Sequence, residues 1–244
     1  MWEKENRMEY WYPRISNLVP KPKTKIIMIN PDWTSDGNNM TIPEKEFKEI
    51  EEASKEFKFP LFMRGSETSG KHDWKDTCFV KDLSEIRRKV IALIEDALLK
   101  DIGCNSIALR EFIEMDTGFY AFREMPVNSE RRYFIRDGKV ICHHPYWIED
   151  AIRKPSADNW KEILKGLNTE TEEIKLLTEY SEEVGKNFDG FWSIDFCKSK
   201  EDVWYCIDMA VGTASWHPKC PNNPNQDLDK KEVNEEIKYS RFRK

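Results

Sequence analysis

One stretch, residues 59–80, constrains the fold of this chain more than any other: FPLFMRGSETSGKHDWKDTCFV. An apolar run ends at Arg64, a polar loop with two glycines follows, and a second apolar run begins at Thr77. Glycines allow backbone N–H groups to converge on an anion, while Arg64, Lys71 and Lys75 supply positive charge. The pattern predicts two strands joined by a loop that covers phosphates; an ordinary polar hairpin turn is the alternative.

The loop from Gly65 to Lys71 almost matches the P-loop pattern G-x-x-x-x-G-K-[ST]. It departs at His72, where the hydroxyl that binds Mg²⁺ is missing. A P-loop also opens directly into a helix, whereas residues 72–76 show no helical period and lead into a predicted strand. We therefore exclude a P-loop and retain the phosphate-covering loop, with His72 as a candidate γ-phosphate contact.

Composition and charge exclude several classes of protein. The 244 residues carry 39 Lys and Arg against 45 Asp and Glu, a formal net charge of −6, and no extended basic block, which argues against a dedicated nucleic-acid binder. No apolar run approaches the length of a membrane span, and the N-terminus has no apolar signal segment. A cytoplasmic protein with no membrane partner is expected.

The six cysteines are scattered, mostly within apolar runs. Without a secretion signal they are expected to be buried thiols, and without a C-x-x-C pair a structural zinc is not expected. His143 and His144 end a predicted strand, where packing and hydrogen bonding explain them better than catalysis.

Helical and strand patterns alternate along the rest of the chain. A capped amphipathic helix is predicted over residues 82–100 and further helices over residues 156–186. A strand is predicted over residues 106–113, and hairpins over residues 130–141 and 191–209, the first with an Asp-Gly turn. The order of the elements predicts an α+β fold.

Two aspartates stand out inside the second hairpin. Asp195 and Asp208 each interrupt an otherwise apolar strand, where a carboxylate needs a cation or several donors. With the turn centred near residue 200, the two are expected about two residues apart in register, close enough to reach toward one or two Mg²⁺ ions. Two solvated aspartates at the edge of the sheet are the alternative.

Together these elements resemble the ATP-grasp superfamily, in which two α+β subdomains clamp ATP between a phosphate-covering hairpin and a metal-bearing sheet. The order matches over residues 58–217. The chain looks most similar to the clade named for two arginines and a lysine, which has viral and bacterial members, because Arg64 replaces the commoner lysine and residues 130–141 read ERRYFIRDGKVI. It is also similar to the eukaryotic cell-cycle chaperones that assemble a translation initiation factor.

The resemblance implies roles for the residues that match the family's motifs. The implied nucleotide-binding positions are Arg64, Gly70, Lys71, His72, Lys75, Arg110, Glu111, Phe112, Ile113, Glu130 and Arg132. Among them, Glu111 and the backbone around Ile113 would bind the adenine edge, and Glu130 the ribose. The implied catalytic residues, which would stabilise the transferring phosphoryl group, are Arg64, Lys71 and Arg132.

Asp195 and Asp208 fall where the family's magnesium ligands lie, so ATP and Mg²⁺ are the implied cofactors. The last metal-binding strand of the family usually reads acidic-x-Asn, whereas here Ala210 stands in place of the asparagine. One ligand is therefore missing or supplied elsewhere, by Asp195, Ser215 or His217.

The activity implied is an ATP- and Mg²⁺-dependent ligase that joins a carboxylate to an amine (or thiol) through an acyl phosphate. An assembly factor that binds nucleotide and a protein partner with little or no turnover is the alternative, and direct phosphoryl transfer is a third. The chain is divided into an N-terminal lobe (residues 1–57), an ATP-grasp domain (58–220) and a polar tail (221–244).

Overall fold

The computed structural model of the chain describes residues 4–30, 32–33, 40–100, 102–170 and 172–224. Its strands are β1 (Thr24–Met28), β2 (Asp32–Trp33), β3 (Met40–Thr41), β4 (Leu61–Gly65), β5 (Phe79–Val80), β6 (Ser106–Glu111), β7 (Thr117–Ala121), β8 (Met125–Asn128), β9 (Glu130–Arg136), β10 (Lys139–Pro145), β11 (Phe191–Lys198) and β12 (Trp204–Val211). Its α-helices are α1 (Met8–Trp11), α2 (Glu44–Ser54), α3 (Ile86–Leu99), α4 (Trp160–Leu167) and α5 (Glu173–Gly185).

The first sheet has the strand order β1–β6–β4–β5 and is antiparallel throughout. Successive side chains of a strand point to opposite faces of the sheet, and both faces of β4 are in contact with other parts of the chain. Leu61 and Met63 are fully buried in a core with the apolar faces of α2 and α3. Phe62 and Arg64 therefore point to the other face, toward the second sheet.

Helix α3 begins later than the sequence predicts. Asp82 accepts a hydrogen bond from the backbone N–H of Ser84 at 2.9 Å, but it caps a 3₁₀ turn, Leu83–Glu85, that precedes the α-helix. From Ile86 onward the predicted buried face packs on β4. The helix thus holds β4 against the core.

The second sheet has the strand order β10–β9–β11–β12. Both predicted hairpins form it, and the β9–β10 turn has positive φ at Asp137 (48°) and Gly138 (76°), as an Asp-Gly turn of type I′ requires. Helix α5 covers one face of this sheet, where its Leu177 and Val184 join the core. The opposite face turns toward the first sheet.

The expected register of the two aspartates is wrong. Asp195 and Asp208 are direct cross-strand partners, because a bulge between Asp195 and Phe196 leaves Ile207 unpaired and because the turn is centred one residue later than expected. Arg132 of β9 is in turn the partner of Asp195. The three side chains therefore form one row across the sheet.

Residues 1–57 contribute β1 and α2 to the first sheet and its core. In the described residues no helix is both long and apolar enough to span a bilayer. The six cysteines are free thiols, as expected, although Cys142 and Cys220 are only partly buried. The predicted division into lobe, domain and tail stays a prediction, and residues 225–244 of the tail lie outside the described residues.

Candidate functional site

A cavity of about 710 Å³ lies between the two sheets. One end is aromatic and the other is charged. Eight of the residues expected to bind nucleotide or metal line it: Arg64, Lys71, Arg110, Glu111, Phe112, Ile113, Glu130 and Asp208. Such a cavity is large enough for a nucleotide, since ligand pockets commonly have volumes of about 300–1,000 Å³.

An ion pair joins the two sheets at the charged end. Nη1 of Arg64, whose residue is only 4% exposed, lies 2.9 Å from Oδ1 of Asp208. Although burial alone would raise the pKa of Asp208, Arg64 and Lys71 hold that pKa below its ordinary value. Asp208 is therefore an anion that faces a cavity edged with cations.

Arg110 makes a second link between the sheets. Its Nη1 donates to the backbone carbonyl of Ile207 at 2.8 Å, and its Nε donates to Oγ1 of Thr24 at 3.1 Å. Burial, with the neighbouring charge of Arg64, lowers the pKa of Arg110 to about 10, so the guanidinium is still protonated at neutral pH. The bulge at Ile207 turns this carbonyl out of the strand ladder and toward Arg110.

Arg132 and Asp195 form a bidentate pair. Nε and Nη2 of Arg132 donate to the two carboxylate oxygens of Asp195, each at 2.7 Å. Neither residue lines the cavity; they lie next to Asp208 in the sheet. Because both oxygens of Asp195 accept from Arg132, a metal at Asp195 would compete with this pair.

Lys71 and Glu130 form a third pair, with Nζ of Lys71 3.7 Å from Oε1 of Glu130. Burial raises the pKa of Glu130 to about 7, against the attraction of Lys71. Burial alone would lower the pKa of Lys71, but Glu130 and Tyr146 outweigh it and raise that pKa. Lys71 thus remains a cation, also positioned 4.2 Å from the centroid of the Tyr146 ring.

The loop between β4 and β5 is more compact than an open phosphate flap. Gly70 has φ of 63° and precedes a 3₁₀ turn, Lys71–Asp73, and its carbonyl accepts from the side chain of Thr77 at 2.7 Å. This conformation turns Lys71 into the cavity. Gly70 itself does not line the cavity, and the side chain of His72 lies outside the described residues.

Lys75 is not brought to the site. Its ammonium pairs with the carboxylate of Glu124, and both side chains are about 60% exposed. Lys75 follows the 3₁₀ turn, which ends at Asp73, and lies on the outer side of the loop. Charge and proximity in sequence therefore do not distinguish Lys71 from Lys75, but the backbone conformation does.

The aromatic end of the cavity adjoins residues 110–113, which the resemblance predicts to be the hinge between the two lobes. The ring of Phe112 packs against Phe79, at 5.3 Å between centroids, and against Trp74, at 6.3 Å. Phe62 closes the group at 5.7 Å from Trp74. The side chain of Glu111 instead accepts from the backbone N–H of Lys23 at 2.6 Å, which ties the hinge to the start of β1.

Three buried polar atoms of the cavity lining lack a hydrogen-bond partner within the described part of the chain: Nη2 of Arg110, Oδ1 of Asn128 and Oε1 of Glu130. Buried polar atoms are usually satisfied, so these three would take water or a polar ligand in the cavity as partner. Donors and acceptors are both present among them, as a nucleotide with phosphates and hydroxyls requires.

Several residues of the site were missed from the sequence. Tyr146 lies between two cations, Lys71 and Arg132, whose charges are 4.2 and 4.7 Å from its ring centroid. Trp74 lines the cavity, as does Asn128. Apolar pattern alone does not separate an aromatic ring that lines a cavity from one in the core.

Comparison with known proteins extends these observations. The family model that matches is an ATP-grasp domain, family 3 of the clade named for two arginines and a lysine, and the match covers residues 33–230. Among curated protein sequences none is significantly similar to the chain.

Solved structures share the fold at low sequence identity. C-terminally truncated Cdc123 from Schizosaccharomyces pombe is 17% identical, with 85% of this chain and 83% of that chain covered and a TM-score of 0.52. Cdc123 from the same organism is 14% identical, with 93% of this chain and 90% of that chain covered and a TM-score of 0.52. Carboxyaminoimidazole ribonucleotide synthase from Aspergillus clavatus, complexed with ATP, is 11% identical, with 84% of this chain and 44% of that chain covered and a TM-score of 0.51.

Proposed function

Because the chain belongs to family 3 of the two-arginine, one-lysine clade of ATP-grasp domains, we propose that it binds ATP between its two sheets and uses it to join a carboxylate to an amine or thiol. The charged end of the cavity is the observation that carries this proposal. Three cations of the lining (Arg64, Lys71 and Arg110) lie there with two carboxylates (Glu130 and Asp208), and the pair of Arg132 with Asp195 lies next to them. The excess of positive charge suits the phosphates of a nucleotide.

The two ends of the cavity suggest one orientation for the nucleotide. The adenine would lie at the aromatic end, beside Phe112 and Trp74, with its edge toward the hinge at Glu111 and Ile113. The phosphates would lie at the charged end, beside Arg64 and Lys71. The polar atoms of Asn128 and Glu130 that lack hydrogen-bond partners lie along the cavity lining, where they would meet the ribose hydroxyls.

The cations would act on the transferring phosphoryl group. Arg64 and Lys71 line the cavity and would stabilise the charge that develops as the bond to the leaving ADP breaks. Arg132 is held by Asp195 in a fixed orientation next to them, so little reorganisation is needed at the moment of reaction. Gly70 and the 3₁₀ turn after it orient Lys71.

The reaction proposed has two steps. A carboxylate oxygen of the substrate attacks the γ-phosphorus of ATP, the bond to the β-phosphate oxygen breaks, and an acyl phosphate and ADP form. The amine then attacks the acyl carbon, inorganic phosphate leaves with the electron pair of the broken C–O bond, and the amine nitrogen loses a proton.

Asp208 and Glu130 are the carboxylates of the lining that fit a magnesium ion, since hard oxygen ligands near phosphates are its usual environment. When bound, the ion would neutralise charge on the phosphates. Asp195, the other predicted ligand, is engaged by Arg132 through both of its oxygens. We propose that Asp208 holds the metal and that Asp195 orients Arg132.

A nucleotide-binding assembly factor with little or no turnover is the second candidate. Ala210 stands where the family's metal-binding asparagine lies, and both oxygens of Asp195 are engaged by Arg132. Both features weaken the metal site without removing the cations that bind nucleotide. Such a protein would act through a protein partner.

Turnover separates these candidates. The wild type is incubated with Mg²⁺·ATP and panels of carboxylates and amines while ADP is measured. Arg64→Ala is the site variant. Arg88→Ala is the control, since Arg88 is exposed on α3. ADP formation that needs both an acid and an amine, and that Arg64→Ala abolishes, supports the ligase. No ADP formation with any pair of acid and amine, together with nucleotide-dependent capture of a protein partner, supports the assembly factor. Labelled phosphate retained on a product indicates phosphoryl transfer.

A further inference from the structure

A cluster of two cysteines and two histidines lies on the cavity-facing side of the second sheet, beyond Arg132. Cys142 and His144 are two residues apart on β10, so their side chains leave the same face of the strand. His217 and Cys220 lie in the segment that follows β12. One ligand atom from each of the four residues lies within 4.8 Å of all the others.

The distances within the cluster match a tetrahedral metal site. Nε2 of His217 is 3.2 Å from Sγ of Cys142 and 3.4 Å from Sγ of Cys220. A tetrahedron with Zn–S bonds of about 2.3 Å and Zn–N bonds of about 2.1 Å separates sulfur from nitrogen by about 3.6 Å. The four side chains therefore need only small shifts to bind one ion.

Hydrogen bonds alone do not satisfy this cluster. Nε2 of a neutral His217 has a single lone pair or a single proton, so it cannot accept from both thiols. Nε2 of His144 is buried and has no hydrogen-bond partner within the described part of the chain. The thiol of Cys142 can instead donate to Cys220, but Nε2 of His144 still lacks a partner among the described residues. A cation at the centre would give all four side chains a partner.

The surrounding residues fix the geometry of the ligands, as they do in structural metal sites. The ring of His217 stacks on Phe134, with 3.8 Å between centroids and 18° between planes. Nδ2 of Asn223 donates to the carbonyl of His217, and its backbone N–H donates to the carbonyl of Cys220, at 2.8 and 2.9 Å. Nδ2 of Asn222 donates to the carbonyl of Ile141, which joins the turn to β10 at 2.8 Å.

We propose that Cys142, His144, His217 and Cys220 bind a structural zinc ion. Two thiolates and two imidazoles fill all four positions of a tetrahedron, which is the donor set of closed structural zinc sites and leaves no position for a substrate. The expectation that this chain has no such site depended on the absence of a C-x-x-C pair. The pairs here are C-x-H and H-x-x-C, 75 residues apart, and only the fold brings them together.

The zinc would clip the segment after β12 onto β10. Trp216, next to His217, accepts a hydrogen bond through its carbonyl from Nη1 of Arg132 at 3.1 Å. The clip therefore holds in place an acceptor that orients Arg132, although the zinc itself contacts no residue of the cavity. This inference does not depend on the proposed function, because zinc binding is measured without nucleotide.

The test measures metal content in untagged protein after removal of loosely bound ions. We expect about one zinc per chain in the wild type and less than about 0.1 in the Cys142→Ser/Cys220→Ser double variant. Cys104→Ser is the matched control, because Cys104 is a buried thiol outside the cluster, and it should retain the full zinc content.

A second measurement covers the case in which the double variant fails to fold. Wild-type protein reconstituted with Co²⁺ should show the intense visible bands of a tetrahedral ion and a thiolate charge-transfer band, and one equivalent of Zn²⁺ should abolish both. Less than about 0.1 zinc in the wild type after reconstitution with Zn²⁺, or a weak octahedral cobalt spectrum, would overturn the proposal. So would a disulfide between Cys142 and Cys220 in freshly purified protein.

Discussion

Replacing Asp195 by asparagine tests what this buried carboxylate does. The substitution keeps the volume of the side chain and one carbonyl acceptor but removes the charge. Arg132, whose side chain is only 13% exposed, then keeps its charge, loses the opposite charge and retains one of its two bonds of 2.7 Å. The guanidinium is left with that carbonyl, the carbonyl of Trp216 and the ring of Tyr146.

The expected loss follows from the burial of the pair. Breaking a buried ion pair by removing one partner costs about 3–5 kcal/mol, and the retained carbonyl puts Asp195→Asn near the lower end, at about 3 kcal/mol. Against a typical free energy of unfolding of about 5–15 kcal/mol, this change is readily measured. Urea denaturation followed by tryptophan fluorescence gives the value.

The matched control is Asp202→Asn in the turn of the same hairpin. Asp202 pairs with Lys198 at 2.6 Å, but its side chain is 83% exposed, and its φ of 65° is one that asparagine also adopts. We expect a change within about 0.5 kcal/mol, as for other exposed pairs. A loss below about 1 kcal/mol for Asp195→Asn, no larger than for the control, would refute the role of Asp195 as the fixed partner of Arg132.

Three further predictions address the site. Lys71→Ala should weaken ATP binding about 10- to 100-fold by calorimetry, because a charge-assisted contact contributes about 1.5–3 kcal/mol. Lys75→Ala should leave the affinity for ATP unchanged. Equal losses of affinity in the two variants would contradict the placement of Lys71 in the cavity and Lys75 outside it. The pKa of Glu130 is raised to about 7, so between about pH 4.5 and 7 the folded state holds a proton that the unfolded state has lost. The free energy of unfolding of the wild type, relative to that of Glu130→Gln, should therefore fall as the pH rises through this range. A difference that does not change with pH would contradict the raised pKa. Gly70→Ala places a Cβ 2.8 Å from the Leu93 side chain, at a residue whose φ is 63°. The substitution should lower the free energy of unfolding by about 2 kcal/mol in urea denaturation. A loss below about 0.5 kcal/mol would be inconsistent with this turn.

The sequence predicted much of the fold because its signals are local. Strand β4 and its Arg64, the Asp137-Gly138 turn and the hairpin with the two aspartates depend on alternation and turn residues within a few positions. The resemblance to the ATP-grasp superfamily, which the match over residues 33–230 confirms, then placed these elements in order.

What the sequence did not predict depends on backbone detail or on long-range contact. A bulge at Ile207 sets the register of Asp208 and turns a carbonyl toward Arg110, and bulges leave no clear pattern in an apolar strand. A 3₁₀ turn separates Lys71, in the cavity, from Lys75, outside it. Tyr146 reaches the site from a strand end whose pattern gives no sign of the two cations beside it.

The cysteine and histidine cluster is the clearest long-range case. Its two halves are far apart in the sequence, and each half alone is a common pair of residue types with no motif spacing. Only the pairing of β10 beside β9, with the return of the chain after β12 across the same face, brings them together.

Both candidate functions require that the cavity between the sheets bind ATP. Calorimetric titration of the purified chain with Mg²⁺·ATP, with and without a chelator, measures this binding. We expect saturable binding of one ATP per chain that weakens when the chelator removes Mg²⁺. No detectable heat of binding, with the protein folded and the nucleotide in excess, would contradict it.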